Sequence, residues 1–131
     1  MSNEKSSIET IKNKIKDILE EPEIRFCGLI DSSGNLIAGA YRPGLVPLVT
    51  DAKQKKMFQE LAHRVTNRHG FDDELGRVKY SSSRREHVVM MSFPAKTHIL
   101  LVIADPAVNI DRLAWKIIYK LDRQWSEFHG L

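Results

Sequence analysis

Apolar residues follow two different rhythms along this chain. Ile8, Ile11, Ile15, Ile18 and Leu19 recur three and four positions apart, the spacing of one helical face. That stripe predicts an amphipathic helix over 7–20, with Ser6 and Glu9 as a capping box and Pro22 marking its end. The rhythm then shortens. IRFCGLI (24–30) and LIAGAY (36–41) read as two strands of a hairpin. The turn between them, Asp31-Ser32-Ser33-Gly34-Asn35, holds two residues, Gly34 and Asn35, that tolerate positive φ. Gly28, Gly39 and the alanines leave little side chain on parts of the hairpin. Close packing of a helix is the simpler reading, and a ligand reaching the backbone is the sharper one.

RPGLVPL (42–48) is a loop punctuated by Pro43, Gly44 and Pro47. Thr50 or Asp51 caps a second helix whose apolar face is Met57, Phe58, Leu61, Ala62 and Val65. Gly70 closes it, and Phe71 to Gly76 form an acidic connection with room for one more turn. RVKYSSS (77–83) alternates weakly, with Val78 and Tyr80 on one face. VVMMSF (88–93) and HILLVIA (98–104) are continuously apolar, and Pro94 to Thr97 turn between them. Asn109 caps the last helix. Ile110, Leu113, Ala114, Ile117, Leu121 and Trp125 make its stripe, which Trp115, Ile118 and Tyr119 widen.

The order α-β-β-α-β-β-β-α predicts an α+β fold, a five-stranded, mainly antiparallel sheet with helices on both faces. Strands apolar on both sides must be covered on both sides. Two helices can cover one face, and the third covers the other only in part. A second copy of that helix would complete the cover, so the pattern predicts a dimer.

The chain has 131 residues, the size of one domain over 1–131, with 1–6 as a flexible N-terminus. Its longest apolar run, ILLVIA, is too short to span a bilayer, and its first residues carry no apolar signal region. A cytoplasmic protein that does not engage the membrane is the expectation. The single cysteine, Cys27, lies in an apolar run and reads as a small buried hydrophobe. The net charge is only +3, but residues 25–70 hold seven basic and three acidic groups. That segment favours anions weakly, without the basic and aromatic pattern of an RNA-binding module.

The hairpin GLIDSSGNLIAGAY, the helix after it and the ending ILLVIADPAVNIDRLAWKI resemble the roadblock/dynein light chain family, a relative of profilin-like folds. The resemblance covers 7–124. KYSSSRREHVVMMSFP is also similar to a group of small archaeal proteins from ammonia-oxidising lineages that bring no activity with them. The roadblock resemblance implies a non-catalytic dimeric platform that regulates small GTPases or acts as an adaptor. It implies pairing through the second helix and the edge strand after it, here Thr50 to His69 and Arg77 to Ser83. The interface candidates are then Met57, Phe58, Leu61, Val65, Val78 and Tyr80.

The chemistry agrees with a binding module. GxxxxGK[ST], GxGxxG and HExxH are all missing from the sequence. Ser81 or Ser83, His87 and Asp105 can be set out as a triad, but the serines do not occupy a GxSxG elbow. No catalytic residue, metal site or cofactor is expected. Arg84 and Arg85 are the leading candidates for contact with a protein partner or an anion, with Ser81, Ser83, Lys79 and His87 beside them. A guanidinium can fork onto carboxylate or phosphate with two parallel hydrogen bonds. Lys53 with Lys56, and Arg64 with Arg68, form a basic helix face. The leading expectation is a regulatory or scaffolding homodimer that binds a protein, a small GTPase or another signalling component. A nucleic-acid- or anion-binding domain and a small-ligand sensor are the alternatives.

Overall fold

A computed structural model describes the backbone of residues 3–131 and the side chains of residues 8–131. Helix α1 (Asn3–Leu19) leads into strands β1 (Ile24–Ile30) and β2 (Leu36–Tyr41). Helix α2 (Asp51–Arg68) and the short helix α3 (Asp72–Leu75) follow. Strands β3 (Ser81–Arg84), β4 (Val89–Ala95) and β5 (His98–Ala104) precede helix α4 (Ile110–Lys120). The strands form one sheet in the order β2-β1-β5-β4-β3, and each neighbouring pair is antiparallel.

The continuous apolar runs are explained by where they sit. β5 lies at the centre, flanked by β1 and β4, and all three are covered on both faces. Cys27, Leu29, Met91, Phe93, Leu100 and Val102 pack with Ile11, Ile15, Ile18, Leu113 and Ile117 from α1 and α4. Phe26, Ile30, Met90, Leu101 and Ile103 point the other way and pack with Phe58, Leu61 and Ala62 of α2. Each fully buried large side chain contributes roughly 1.5–3 kcal/mol. Cys27 is fully buried, and that burial holds its thiol well above its ordinary pKa. Thr50 caps α2 by accepting from the Lys53 N–H at 3.2 Å, and Asn109 caps α4 by accepting from the Arg112 N–H at 3.0 Å. Glu21, just past α1, accepts from Lys120 and Lys116 of α4 at 3.0 and 3.2 Å. The Lys120 contact leads in holding its carboxyl below the usual range.

Several local expectations are corrected. α1 starts at Asn3, so Ser6 lies inside the helix and not at its start. Residues 3–6 belong to this helix. Residues 1 and 2 of the expected flexible N-terminus lie outside the described residues. Gly70 falls within a 3-10 turn, His69–Phe71, and the chain leaves α3 at Gly76, whose φ is +82°. The two-residue turn between β4 and β5 is tighter than expected, because Ala95 pairs with His98 and Lys96 adopts φ of +60°. On α4, Ile118 is buried, whereas Trp115 and Tyr119 are 60% and 78% exposed and do not widen the core.

The hairpin glycines also have a different reason from the one expected. A Cβ on Gly39 would lie 2.5 Å from the Gly28 Cα and 2.7 Å from the Cys27 carbonyl oxygen. The close neighbour is therefore the backbone of β1, not a helix or a ligand. α2 approaches the turn instead, where a Cβ on Gly34 would lie 2.6 Å from the Gln59 Cα. Gly39→Ala is expected to cost at least ~2 kcal/mol, combining a steric clash with backbone strain at φ of +150°. Gly44→Ala, at positive φ but in open space, should cost only about 1 kcal/mol. Urea unfolding of both variants measures the difference, and equal losses would contradict the close approach of the two strands.

Candidate functional site

β3 begins four residues later than its sequence pattern suggests, at Ser81. Residues 77–80 approach it as irregular chain, and this undoes the expected alternation. Val78 lies beside Val65 and Ile99 on the α2 side of the sheet. Tyr80 packs on the opposite side, stacked on Phe93 with ring centroids 5.9 Å apart. The two do not share a face.

The short strand has two faces with different surroundings. Ser82 and Arg84 pair with Met91 and Val89, whose side chains face α1 and α4. On that side the protein uses its own cations internally. Arg84 donates to the carbonyls of Pro106 and Val108, the latter at 2.8 Å, and so anchors the loop before α4. Lys79 donates to the Trp125 and Phe128 carbonyls at 2.5 and 2.9 Å and lies 5.4 Å from the Trp125 ring centroid. The C-terminal segment returns across the sheet here. Phe128 is buried, and the Leu131 N–H donates to the Pro94 carbonyl at 2.9 Å. Sequence reading stops short of this return, although Trp125 and Phe128 are its apolar signal. Arg84 and Lys79 thus have structural employment, while Arg85 and His87 are exposed in the turn after β3.

Ser81 and Ser83 face the other way, paired with Ser92 and Met90 on the α2 side. Arg64 and Arg68 of α2 line the same cleft, which has a volume of about 30 Å³. The structure therefore joins residues from two separate sequence groups, the helix arginines and the strand serines. Lys53 and Lys56 are exposed near the start of α2, outside this cleft. Ser92, the one buried polar residue of the described core, completes it. Its sequence signal is a lone hydroxyl within VVMMSF. The paper triad does not assemble: Asp105 faces Arg25 at 3.7 Å, and no hydrogen bond joins it to Ser81, Ser83 or His87 among the described residues. Among the described residues, no group of three His, Cys, Asp or Glu side chains is placed to hold a metal ion.

The strand's outer edge is open in the single chain. The Arg85 N–H donates to the Val88 carbonyl at 2.8 Å. Antiparallel alternation from that pair turns the main chains of Ser83 and Ser81 toward β4 and those of Ser82 and Arg84 outward. α2 runs beside this edge. Phe58 and Leu61, expected at an interface between copies, are 2% and 6% exposed in the chain's own core. Met57 and Val65 are only half-buried and remain at its flank. No described helix is long and apolar enough to cross a membrane.

Residues 4–131 match a family of unknown function, DUF6659. No curated protein matches the sequence. Among solved structures, the chain is similar to a Roadblock/LC7 domain from Streptomyces avermitilis, at 9% identity and a TM-score of 0.64 over 85% of this chain and 91% of that one. It is similar to an MglB described with a tetrameric arrangement, at 14% identity and a TM-score of 0.61 over 93% of each chain. It is also similar to profilin IA of Acanthamoeba castellanii, at 15% identity and a TM-score of 0.52 over 84% of this chain and 91% of that one. The fold is roadblock-like.

Tyr80 reports on how the approach to β3 is held. Its hydroxyl donates to the Asp111 carboxylate. Burial, then that carboxylate, push the phenol up to about 12. Asp111→Asn removes the acceptor charge, so the phenol should ionise at lower pH while burial keeps it above the ordinary value. Ultraviolet titration of the two proteins measures this, and identical curves would contradict the contact.

Proposed function

We propose that this chain, which belongs to the DUF6659 family of unknown function, is a non-catalytic regulatory or scaffolding module that acts as a homodimer and binds a protein partner. The observation that carries the reading is the open edge of β3 beside α2. Ser82 and Arg84 present outward backbone donors and acceptors, and on the α2 side of the sheet Met57 and Val65 are only half-buried. An unpaired edge is a template for another strand. Pairing β3 with the β3 of a second copy would satisfy those groups and extend the sheet. It would also bring a second α2 against the flank that a single helix leaves open.

The serines and Arg84 suit such an edge, because polar and charged side chains restrain pairing with wrong chains. The MglB described with a tetrameric arrangement gives a self-associating example of the fold. The partner class that the roadblock resemblance favours is a small GTPase or another signalling component in the cytoplasm. Arg85 is the best-placed basic contact for it, since Arg84 is already committed to the chain's own carbonyls.

Ser82→Pro tests the pairing. It removes an N–H that points away from β4, so the chain's own ladder is retained. Sedimentation equilibrium should show a dimer for the wild-type chain at micromolar concentration and a monomer for Ser82→Pro, with similar thermal unfolding. A monomeric wild type, or a variant that dimerises equally well, would overturn the reading.

A further inference from the structure

We propose that the cleft between α2 and β3 is a binding site for a small tetrahedral oxyanion, inorganic phosphate or the phosphate group of a small monoester. Arg64 and Arg68 lie one helical turn apart and line it from α2. Ser81 and Ser83 share a face of β3 and, with Ser82 between them, line it from the strand, and Ser92 stands opposite Ser81 in the register. Among the described residues, no carboxylate lines the cleft.

The state of Arg68 carries the argument. Its Nη1 is buried and has no hydrogen-bond partner among the described residues. A buried cationic donor left without an acceptor is costly, and a turn of the guanidinium toward an anion in the cleft would supply the acceptor. A guanidinium offers five N–H donors in a fixed fork, and each serine adds a hydroxyl. Two guanidinium groups and three hydroxyls surround the space with more donors than a carboxylate's two oxygens can accept well. The four oxygens of phosphate match them better.

Volume narrows the ligand. About 30 Å³ exceeds the ~10–15 Å³ that one water needs. It does not accommodate a nucleotide or another large metabolite. The anionic head therefore meets the cleft with only part of its oxygens inside, and any attached group stays outside. This site is complete within a single chain. It lies next to the proposed pairing edge but does not depend on pairing.

Orthophosphate, titrated into the full chain at constant ionic strength with chloride as the balancing anion, tests the assignment. Amide resonances of Ser81, Ser83 and Ser92 should shift and saturate. Arg68→Gln should weaken binding by about tenfold or more, and Arg68→Lys by less, since it keeps the charge and loses the fork. Ser83→Ala, at an exposed position that does not threaten the core, should also weaken it. Lys53→Gln should not. Phosphate should bind equally well at chain concentrations below and above the one at which copies pair, which separates failure of this site from failure of the dimer. Methyl phosphate should bind as phosphate does if monoesters are accepted; loss of its binding alone would overturn the monoester assignment. Shifts that never saturate, or an Arg68→Gln chain that binds like wild type, would overturn the site. Acetate binding as tightly as phosphate would overturn its tetrahedral assignment.

Discussion

Every part of this structure answers to the double-sided burial of the central strands. β5 is apolar on both faces, and β1 and β4 are nearly so, so neither face of the sheet can meet water without loss. α1 and α4 together cover one side, while α2 covers the other alone. The asymmetry has a location. It leaves a cleft between α2 and β3 where polar groups join apolar ones. Ser81, Ser83, Arg64 and Arg68 collect there because the core ends there.

The edge strand is held from one side and open on the other. Lys79 and Arg84 tie its two ends to carbonyls of the C-terminal segment and of the loop before α4. Those bonds set the position of a four-residue strand that has little apolar anchoring of its own. A fixed strand can offer its outward main chain in a defined register. The same positioning keeps the serines in line with Ser92 across the ladder. A structural use for two basic residues thus supports a recognition role for the groups beside them.

Much of the fold was legible because burial writes a period into the sequence. The isoleucines of α1 and the continuous runs of β4 and β5 specified elements that the structure contains. The approach to β3 was not legible. Val78 and Tyr80 have the spacing of a strand, but one packs toward α2 and the other onto Phe93, and only tertiary packing decides that. Gly70 and Gly76 are both plausible helix ends, and only the second adopts positive φ. At the candidate site, the residue types were visible but their grouping was not. Arg84 and Arg85 are adjacent in sequence and have different surroundings. Arg68 and Ser81 are distant in sequence and line one cleft. Phe26 and Gly28 show the same limit, since the glycine there makes room for a ring and not for a helix.

The proposed dimer pairs the outward edge of β3 with that of a second copy. Hydrogen–deuterium exchange at the Ser82 and Arg84 amides tests it most directly. These N–H groups have no acceptor within the sheet of a single chain, whereas those of Ser81 and Ser83 face β4. With edge pairing, Ser82 and Arg84 should be protected in the wild-type chain at micromolar concentration and lose protection on dilution, while Ser81 and Ser83 remain protected. Rapid exchange of Ser82 and Arg84 at every concentration would contradict it.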